Sequence, residues 1–243
     1  MTENHYDQPE FFEKYSQMAR SREGLAGAGE WQTLKKLLPD FTDKTVLDLG
    51  CGYGWHCLYA AEHGAKKIVG IDLSEKMLAV ARKQTAAENV SYQRGSIETF
   101  VAADDSIDIV LSSLALHYVA DFAAVAARVQ RCLKKGGTFI FSVEHPIFTA
   151  QGSQDWYYDQ QGTIQHFPVD HYFIEGKRQA NFLGAEITKY HKTLTTYLDG
   201  LLTNGFTIER IVEPMPPENM LNLPGMQDEL RRPMMLIIRA GKN

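Results

Sequence analysis

The segment that decides the fold is Val46-Leu47-Asp48-Leu49-Gly50-Cys51-Gly52-Tyr53-Gly54. A short apolar run followed by alternating glycines is typical of a buried strand that leads through a tight loop into a helix. Glycine lets the backbone approach a ligand closely beneath the helix N-terminus. The last glycine of this G-x-G-x-G run comes one residue earlier than in the dinucleotide pattern G-x-G-x-x-G. The buried carboxylate of Asp48 would repel a pyrophosphate, so the segment favours a cationic ligand.

Strand patterns alternate with helix patterns on both sides of this segment. This alternation implies parallel pairing with right-handed crossovers, which is a doubly wound α/β sheet. Lys134-Lys135-Gly136-Gly137 is expected to end a helix, and Pro146 is expected to end the fifth strand. The predicted strands are 46–49, 67–71, 90–94, 107–112, 138–143, 206–212 and 234–240, and the predicted helices are 55–63, 74–84, 121–133 and 193–203.

Composition indicates one globular domain over residues 1–243. The hydrophobic fraction of 44% is enough for a core, and no apolar run approaches the ~20 residues of a membrane span. The N-terminus lacks a signal-peptide pattern, and the three cysteines show no disulfide or metal spacing. The net charge of −5, with basic residues only in pairs, disfavours nucleic acid as a partner. We therefore expect a cytoplasmic protein with no metal site and no membrane partner.

A second motif, Gly70-Ile71-Asp72, follows about 20 residues after the glycine loop. An acid at the end of the second strand can accept hydrogen bonds from both hydroxyls of an adenosine ribose. Nicotinamide-dinucleotide enzymes share this feature, and a helix-capping acid is the structural alternative. Asp72 therefore indicates a nucleoside without deciding between cofactors.

The motifs together resemble the class I S-adenosylmethionine-dependent methyltransferases, of the type 11-like group that includes small-molecule and quinone-biosynthesis enzymes. The resemblance implies a Rossmann-like, seven-stranded, mostly parallel sheet whose last strand is antiparallel. It also implies S-adenosylmethionine as the cofactor. The matching motifs are Val46–Gly54, Val69–Ser74, Gly95-Ser96-Ile97, Asp108–Tyr118 and Leu133–Gly137.

The resemblance also assigns roles to individual residues. Asp48 and the loop residues Gly50, Cys51, Gly52 and Gly54 would surround the methionine portion, and Asp72 would hold the ribose. The adenine would lie between Leu73, Met77, Gly95, Ser96 and Ile97, although many relatives carry an aspartate where this chain has Ser96. Ser112 and Ser113 would border the transferred methyl group.

The exit of the fourth strand, Ser112–Tyr118, carries the candidate chemistry. It lacks both the Asn/Asp-Pro-Pro-Tyr/Phe signature of amino-methylating DNA enzymes and a carboxylate cluster for a metal. His117 is the candidate base or substrate ligand, since imidazole titrates near neutral pH. Glu144 and His145, after the fifth strand, are further catalytic candidates. A locally hydrogen-bonded histidine is the structural alternative for His117.

Two outer segments are candidate covers for the site. Residues 1–40 are predicted to form a helical lid in which Tyr15 and Arg20 reach the cofactor carboxylate, although an amphipathic helix packed on the core is the alternative. Residues 146–190 are aromatic and polar without helical periodicity, with hairpin strands expected at 164–169 and 187–191. We interpret this second segment as a substrate cap. Its predicted contacts are Trp156, Tyr157, His171 and Tyr172, together with Tyr118, although such aromatic residues also suit a homodimer contact.

These observations predict a methyltransferase that acts on an oxygen, nitrogen or carbon atom of a small molecule. Three alternatives remain open at this point. The chain can be a non-catalytic cofactor-binding scaffold, a methyltransferase of RNA or protein, or an oxidoreductase that uses a nicotinamide dinucleotide.

Overall fold

A seven-stranded sheet forms the centre of the protein, for which the computed structural model describes residues 4–243. The strand order is β10-β11-β5-β4-β1-β2-β3, and all neighbours are parallel except β11, which is antiparallel to both β5 and β10. The doubly wound sheet and its antiparallel last strand are thus confirmed. The strands are β1 (Thr45–Leu49), β2 (Lys67–Asp72), β3 (Val90–Arg94), β4 (Ile107–Ser113), β5 (Leu133–Glu144), β10 (Phe206–Val212) and β11 (Met235–Lys242).

Helices cover both faces of the sheet and bury two separate hydrophobic clusters. Side chains cap four of these helices: Ser74 accepts from Met77 N, Asp121 from Ala124 N, His145 from Ile147 N, and Thr193 from Thr196 N. The helices are α1 (Pro9–Ser16), α2 (Ala19–Arg22), α3 (Trp31–Leu37), α4 (Trp55–Glu62), α5 (Glu75–Gln84), α6 (Phe122–Cys132), α7 (Pro146–Ala150) and α8 (Leu194–Leu202).

Strand β5 starts earlier than the sequence predicts. Helix α6 ends at Cys132, and the fully buried Leu133 already pairs with Ile107 of β4. The next aligned pair is Ile109 with Thr138, so the four residues 134–137 bulge out of the strand, with Gly136 at φ +76°. The predicted helix-ending glycine turn is therefore a bulge inside β5.

The segment after β5 holds one short helix and two hairpins. Pro146 ends β5 as predicted but also begins α7, because its fixed φ suits the first helical position. The predicted strands near 164–169 and 187–191 belong to separate hairpins and do not pair with each other. The first hairpin joins β6 (Tyr157–Tyr158) to β7 (Ile164–His166), and the second joins β8 (Gly176–Phe182) to β9 (Ala185–His191).

The N-terminal helices lie across the carboxyl end of the sheet. Asp7 fastens them there by accepting hydrogen bonds from Ser74 Oγ (2.5 Å) and from the backbone N–H of Lys76 (3.1 Å). Phe11 of α1 is buried, with 3% of its surface exposed. Residues 1–3 of the predicted lid lie outside the described residues. No helix within residues 4–243 is long and apolar enough to cross a membrane.

Candidate active site

A cavity of about 280 Å³ lies at the carboxyl ends of β1, β2, β4 and β5, where open α/β sheets bind ligands. We distinguish two parts of its lining by the elements that supply them. The glycine-loop half comprises Gly50, Gly52, Asp72, Leu73, Met77, Gly95 and Ile97. The hairpin half comprises His117, Tyr118, Glu144, Lys177, Phe182, Ile187, Thr188, Tyr190, Met234 and Met235. Tyr6, Tyr15, Met18 and Arg20 of the N-terminal segment also line the cavity.

The glycine loop is held against the end of β2. Gly50 N and Cys51 N both donate to the carbonyl oxygen of Ile71, at 2.8 and 3.0 Å. Gly50 has φ +78°, and a Cβ there would collide with Ala115. Gly52 has φ +52° and nothing within 4 Å of where its Cβ would lie, so its bare backbone faces open space. The loop therefore leaves room for close ligand approach.

Asp72 presents a fixed carboxylate beside this loop. Its Oδ2 accepts from Gly52 N at 2.8 Å, and its Oδ1 accepts from Ser74 N at 2.9 Å. Burial raises the pKa of Asp72, while these two backbone N–H groups act in the opposite direction. Each carboxylate oxygen keeps a free lone pair for a further donor, which suits the two hydroxyls of a ribose.

Several of the residues predicted to bind the cofactor do not line the cavity. They are buried or form hydrogen bonds with neighbouring residues. Asp48 is 1% exposed and accepts from Cys57 Sγ at 3.4 Å, and burial raises its pKa to about 7. Ser112 Oγ donates to Leu49 O, and Ser96 Oγ accepts from Glu98 N. The buried Cys51 and the helix-capping Gly54 are likewise absent from the lining.

Tyr15 and Arg20 of the N-terminal segment line the cavity, and Arg20 contacts a buried acid, Glu30, that the sequence analysis missed. Arg20 Nη2 donates to Glu30 Oε1 at 2.5 Å, and Ser113 Oγ lies 3.4 Å from the same oxygen. Glu30 is 2% exposed. No motif surrounds Glu30, and its position just before α3 is the only local signal.

His117 and Glu144 meet in the hairpin half. The backbone N–H of Glu144 donates to His117 Nδ1 at 3.3 Å, and His117 Nε2 lies 4.0 Å from Glu144 Oε1. Burial lowers the pKa of His117 to about 4, so the ring is neutral at physiological pH. Because Nδ1 accepts a hydrogen bond, the proton of this neutral ring is on Nε2.

Two side chains that were not predicted hold the Glu144 carboxylate. Lys189 Nζ donates to Oε1 at 2.6 Å, and Gln154 Nε2 donates to Oε2 at 2.7 Å. Burial alone would raise the pKa of Glu144, but the positive charge of Lys189 and the hydrogen bonds from Lys189 and Gln154 act in the opposite direction, and the pKa of Glu144 is lowered. Glu144 is therefore an ionised carboxylate inside the cavity wall.

The predicted aromatic contacts of the cap lie outside the cavity, which corrects that interpretation. Trp156 packs against Phe167 and the guanidinium groups of Arg231 and Arg232. Tyr157 is 57% exposed.

Three further candidates are also placed outside the lining. His171 is exposed beside Asp170, and the Tyr172 hydroxyl accepts from Leu194 N to anchor α8. His145 Nδ1 accepts from Ile147 N, and His145 Nε2 lies 2.8 Å from Glu213 Oε1, so both ring nitrogens are engaged away from the cavity. The cap residues that do line the cavity come from the β8–β9 hairpin.

Comparisons with known proteins agree with this geometry. The family model of the methyltransferase domain matches residues 47–141. A candidate S-adenosylmethionine-dependent methyltransferase from Listeria monocytogenes is 57% identical, with a TM-score of 0.87, and the match covers 90% of this chain and 99% of that one. A second such methyltransferase structure, from Mesorhizobium loti, is 41% identical with a TM-score of 0.84, covering 90% and 100%. An uncharacterised protein of Haemophilus influenzae is 34% identical over 98% of this chain and 96% of its own length.

The chain belongs to the class I S-adenosylmethionine-dependent methyltransferases. It is an enzyme of methyl transfer, and its cofactor is S-adenosylmethionine. The residues fit that cofactor: Asp72 suits the ribose, the slot between Leu73, Met77 and Ile97 suits the adenine, and Arg20 suits the methionine carboxylate. When bound, the cofactor supplies an electrophilic methyl group on a sulfonium.

Proposed function

We propose that this enzyme methylates a hydroxyl oxygen of a small molecule held in the hairpin half of the cavity. One observation carries the proposal: a hydrogen-bond donor, His117 Nε2–H, and an ionised acceptor, Glu144 Oε1, lie 4.0 Å apart. A hydroxyl group can accept from the first and donate to the second with a single oxygen atom. A protonated amine would donate to Glu144, but it has no lone pair with which to accept from His117 Nε2–H or to attack the methyl group, so an amine acceptor would first have to lose a proton.

This arrangement supports a donor role for His117 and a proton-accepting role for Glu144. With the cofactor bound, its sulfonium would supply the methyl group to the acceptor oxygen, and the Glu144 carboxylate would take up the hydroxyl proton. The lowered pKa of Glu144 makes it a weak base. A weak base suffices here, because the hydroxyl proton becomes strongly acidic once its oxygen begins to bind the methyl group. His117 Nε2–H orients the oxygen for in-line attack.

The surroundings favour a small, partly apolar acceptor. Phe182 and Ile187 of the hairpin line this half of the cavity together with Met234 and Met235. The Tyr6 and Tyr118 hydroxyls lie 3.1 Å apart and join the N-terminal segment to the exit of β4. We propose on this basis that the N-terminal helices act as a lid, residues 1–40, and that the second hairpin is the working part of the 146–190 cap. A cavity of about 280 Å³ suits a small molecule better than a chain of RNA or protein.

The test is a screen that measures release of S-adenosylhomocysteine from S-adenosylmethionine. The panel contains phenols and alcohols, each paired with the amine and the methyl ether of the same skeleton, together with bulk RNA and a protein extract. We expect release with hydroxyl compounds and none with their methyl ethers. Release confined to amines would overturn the hydroxyl assignment, and release confined to RNA or protein would overturn the small-molecule assignment.

A further inference from the structure

Lys177 is a charged side chain of the cavity lining that has no partner within the described protein. Apart from histidines, the charged residues of the lining are Arg20, Asp72, Glu144 and Lys177. Arg20 and Glu144 form ion pairs of 2.5 and 2.6 Å, and Asp72 accepts from two backbone N–H groups. The Lys177 ammonium has neither an ion pair nor a hydrogen bond with any of residues 4–243. The lining therefore offers a ligand one positive charge that the protein does not neutralise.

Tyr190 places a second unpaired donor beside this ammonium group. Lys177 and Tyr190 are directly opposite each other in the β8–β9 hairpin, a register that brings Cβ atoms to ~5 Å. Both side chains line the cavity, and the Tyr190 hydroxyl also lacks a hydrogen-bond partner in the described part of the chain. Successive pairs of a hairpin point to opposite faces, so Lys189 of the next pair is buried against Glu144 whereas Lys177 is exposed. Lys177 and Tyr190 can therefore both donate to one ligand group.

Buried positive charge lies behind this pair of donors. Lys192 is 3% exposed, and its Nζ lies 5.7 Å from the centre of the Tyr190 ring and donates to Tyr190 O at 3.2 Å. Burial lowers the pKa of Lys192 to about 8, so the group is mainly protonated at pH 7. Three acids act on it from beyond ion-pair distance: Glu98, Asp121 and Glu175. This local positive charge, in a chain of net charge −5, favours an anion at Lys177 and Tyr190.

We infer that the methyl acceptor is a hydroxy acid whose carboxylate group binds the Lys177 ammonium and the Tyr190 hydroxyl. This inference deepens the proposed function and rests on it for the hydroxyl group that accepts the methyl. The two polar ends of such a molecule suit different parts of the hairpin half, because the Glu144 carboxylate accepts from a hydroxyl but repels an anion, whereas Lys177 attracts one. Phe182 and Ile187 of the same lining suit the hydrocarbon part of the molecule.

Matched pairs of a hydroxy acid and its amide test the carboxylate site, since the amide keeps the shape and removes the charge. The probes are the three hydroxybenzoate isomers, hydroxyphenylacetate and hydroxybutyrate, each with its amide. Release of S-adenosylhomocysteine gives kcat/KM, and calorimetric titration into protein saturated with S-adenosylhomocysteine gives the affinity of any probe that is not methylated. Wild-type protein should favour the best acid over its amide by about five- to tenfold, because the carboxylate gains charge-assisted hydrogen bonds.

Variants of the two donors should remove this preference. In Lys177→Gln the ratio of acid to amide should fall to within about twofold, mainly through a higher KM for the acid, and Lys177→Glu should reverse the preference. Tyr190→Phe should lose part of the preference and leave the amide unaffected. Lys135→Gln is the matched control, because Lys135 is an exposed lysine in the bulge of β5 that does not line the cavity, and it should keep the wild-type ratio. Affinity for S-adenosylhomocysteine reports that each variant is folded.

Two results would overturn the carboxylate site. One is the absence of a preference for the acid in every pair of probes, and the other is a wild-type ratio in Lys177→Gln. Either result leaves the proposed hydroxyl acceptor intact if neutral hydroxyl compounds are methylated. Aminobenzoates and their amides separate the opposite case: methylation of the amines alone, with a preference for the acid that depends on Lys177, would overturn the hydroxyl acceptor and support the carboxylate site.

Discussion

The two halves of the cavity are built by different means. In the glycine-loop half, the polar groups are mainly backbone amides and one acid. Gly50, Gly52 and Asp72 all lie within one stretch of 23 residues. In the hairpin half, side chains form the site. His117, Glu144 and Lys189 come from three elements that are far apart in the chain. Under the proposed assignment, cofactor binding is a local property of this sequence, whereas acceptor binding depends on how distant segments pack.

The largest effect is expected in the hairpin half. Glu144→Gln removes the group that takes the acceptor's proton, and turnover should fall by about 100-fold or more, the usual size of a general-base contribution. Initial-rate measurements with a hydroxyl substrate from the screen check this. Glu186→Gln changes an exposed acid of the β8–β9 hairpin and should retain wild-type turnover. Normal turnover in the Glu144→Gln enzyme would show that Glu144 does not take the acceptor's proton.

The second-largest effect is expected in the glycine-loop half. Asp72→Asn removes the charge that receives the ribose hydroxyls, and S-adenosylhomocysteine should bind about 10- to 100-fold more weakly. Isothermal titration gives the affinity directly. Asp104→Asn, at an exposed acid, serves as the control. Unchanged binding by a folded Asp72→Asn protein would show that Asp72 does not bind the ribose.

A pH measurement tests the neutral imidazole on which the hairpin half depends. The pKa of His117 is lowered to about 4 in the folded protein, so between pH 7 and pH 5 the unfolded chain takes up a proton that the folded protein does not. Stability from this group is present at pH 7 and is lost as the pH falls toward 5, by about 2 kcal/mol for an ordinary histidine pKa of ~6.5.

The matched variant is His117→Gln, whose amide keeps one donor and one acceptor. The wild type should lose about 2 kcal/mol more than this variant on going from pH 7 to pH 5, as urea unfolding measures it. Other buried histidines such as His56 contribute equally to both proteins and cancel. Equal losses in the two proteins would mean that His117 titrates normally and does not hold its proton on Nε2 alone.

The smallest effect concerns the outer part of the cap. Tyr157→Ala should leave turnover and cofactor affinity within about twofold of wild type, because exposed positions outside the cavity rarely alter function. The side chain is 57% exposed and stacks only on His166 among its ring contacts. A large loss of turnover would show that the first hairpin contributes to the acceptor site, and it would contradict the assignment of that site to the hairpin half alone.

The fold and the glycine-loop half could be predicted because their signals are local. Apolar runs indicate strands such as Lys67–Asp72, and the glycine spacing indicates where the loop adopts positive φ. The bulge at 134–137 was misinterpreted, because two lysines and two glycines after an alanine-rich helix are the usual end of a helix. Pairing with β4, a long-range contact, decides the strand instead.

The hairpin half could not be predicted in the same way. Aromatic residues such as Trp156 suggested a pocket wall by composition alone, yet the arginines of the loop before β11 cover it. Lys189 and Gln154 carry no motif, and only the folded hairpin brings them to Glu144. Glu30 carries no motif either, and only packing brings it to Arg20 and Ser113.

One measurement tests the division of the cavity most directly: parallel calorimetric titration of S-adenosylhomocysteine into Glu144→Gln and Asp72→Asn. We predict that Glu144→Gln binds within about twofold of wild type and that Asp72→Asn loses at least about tenfold, since only Asp72 receives charge-assisted hydrogen bonds from the cofactor. Equal losses in the two variants, or a greater loss in Glu144→Gln, would contradict the assignment of cofactor and acceptor to separate halves.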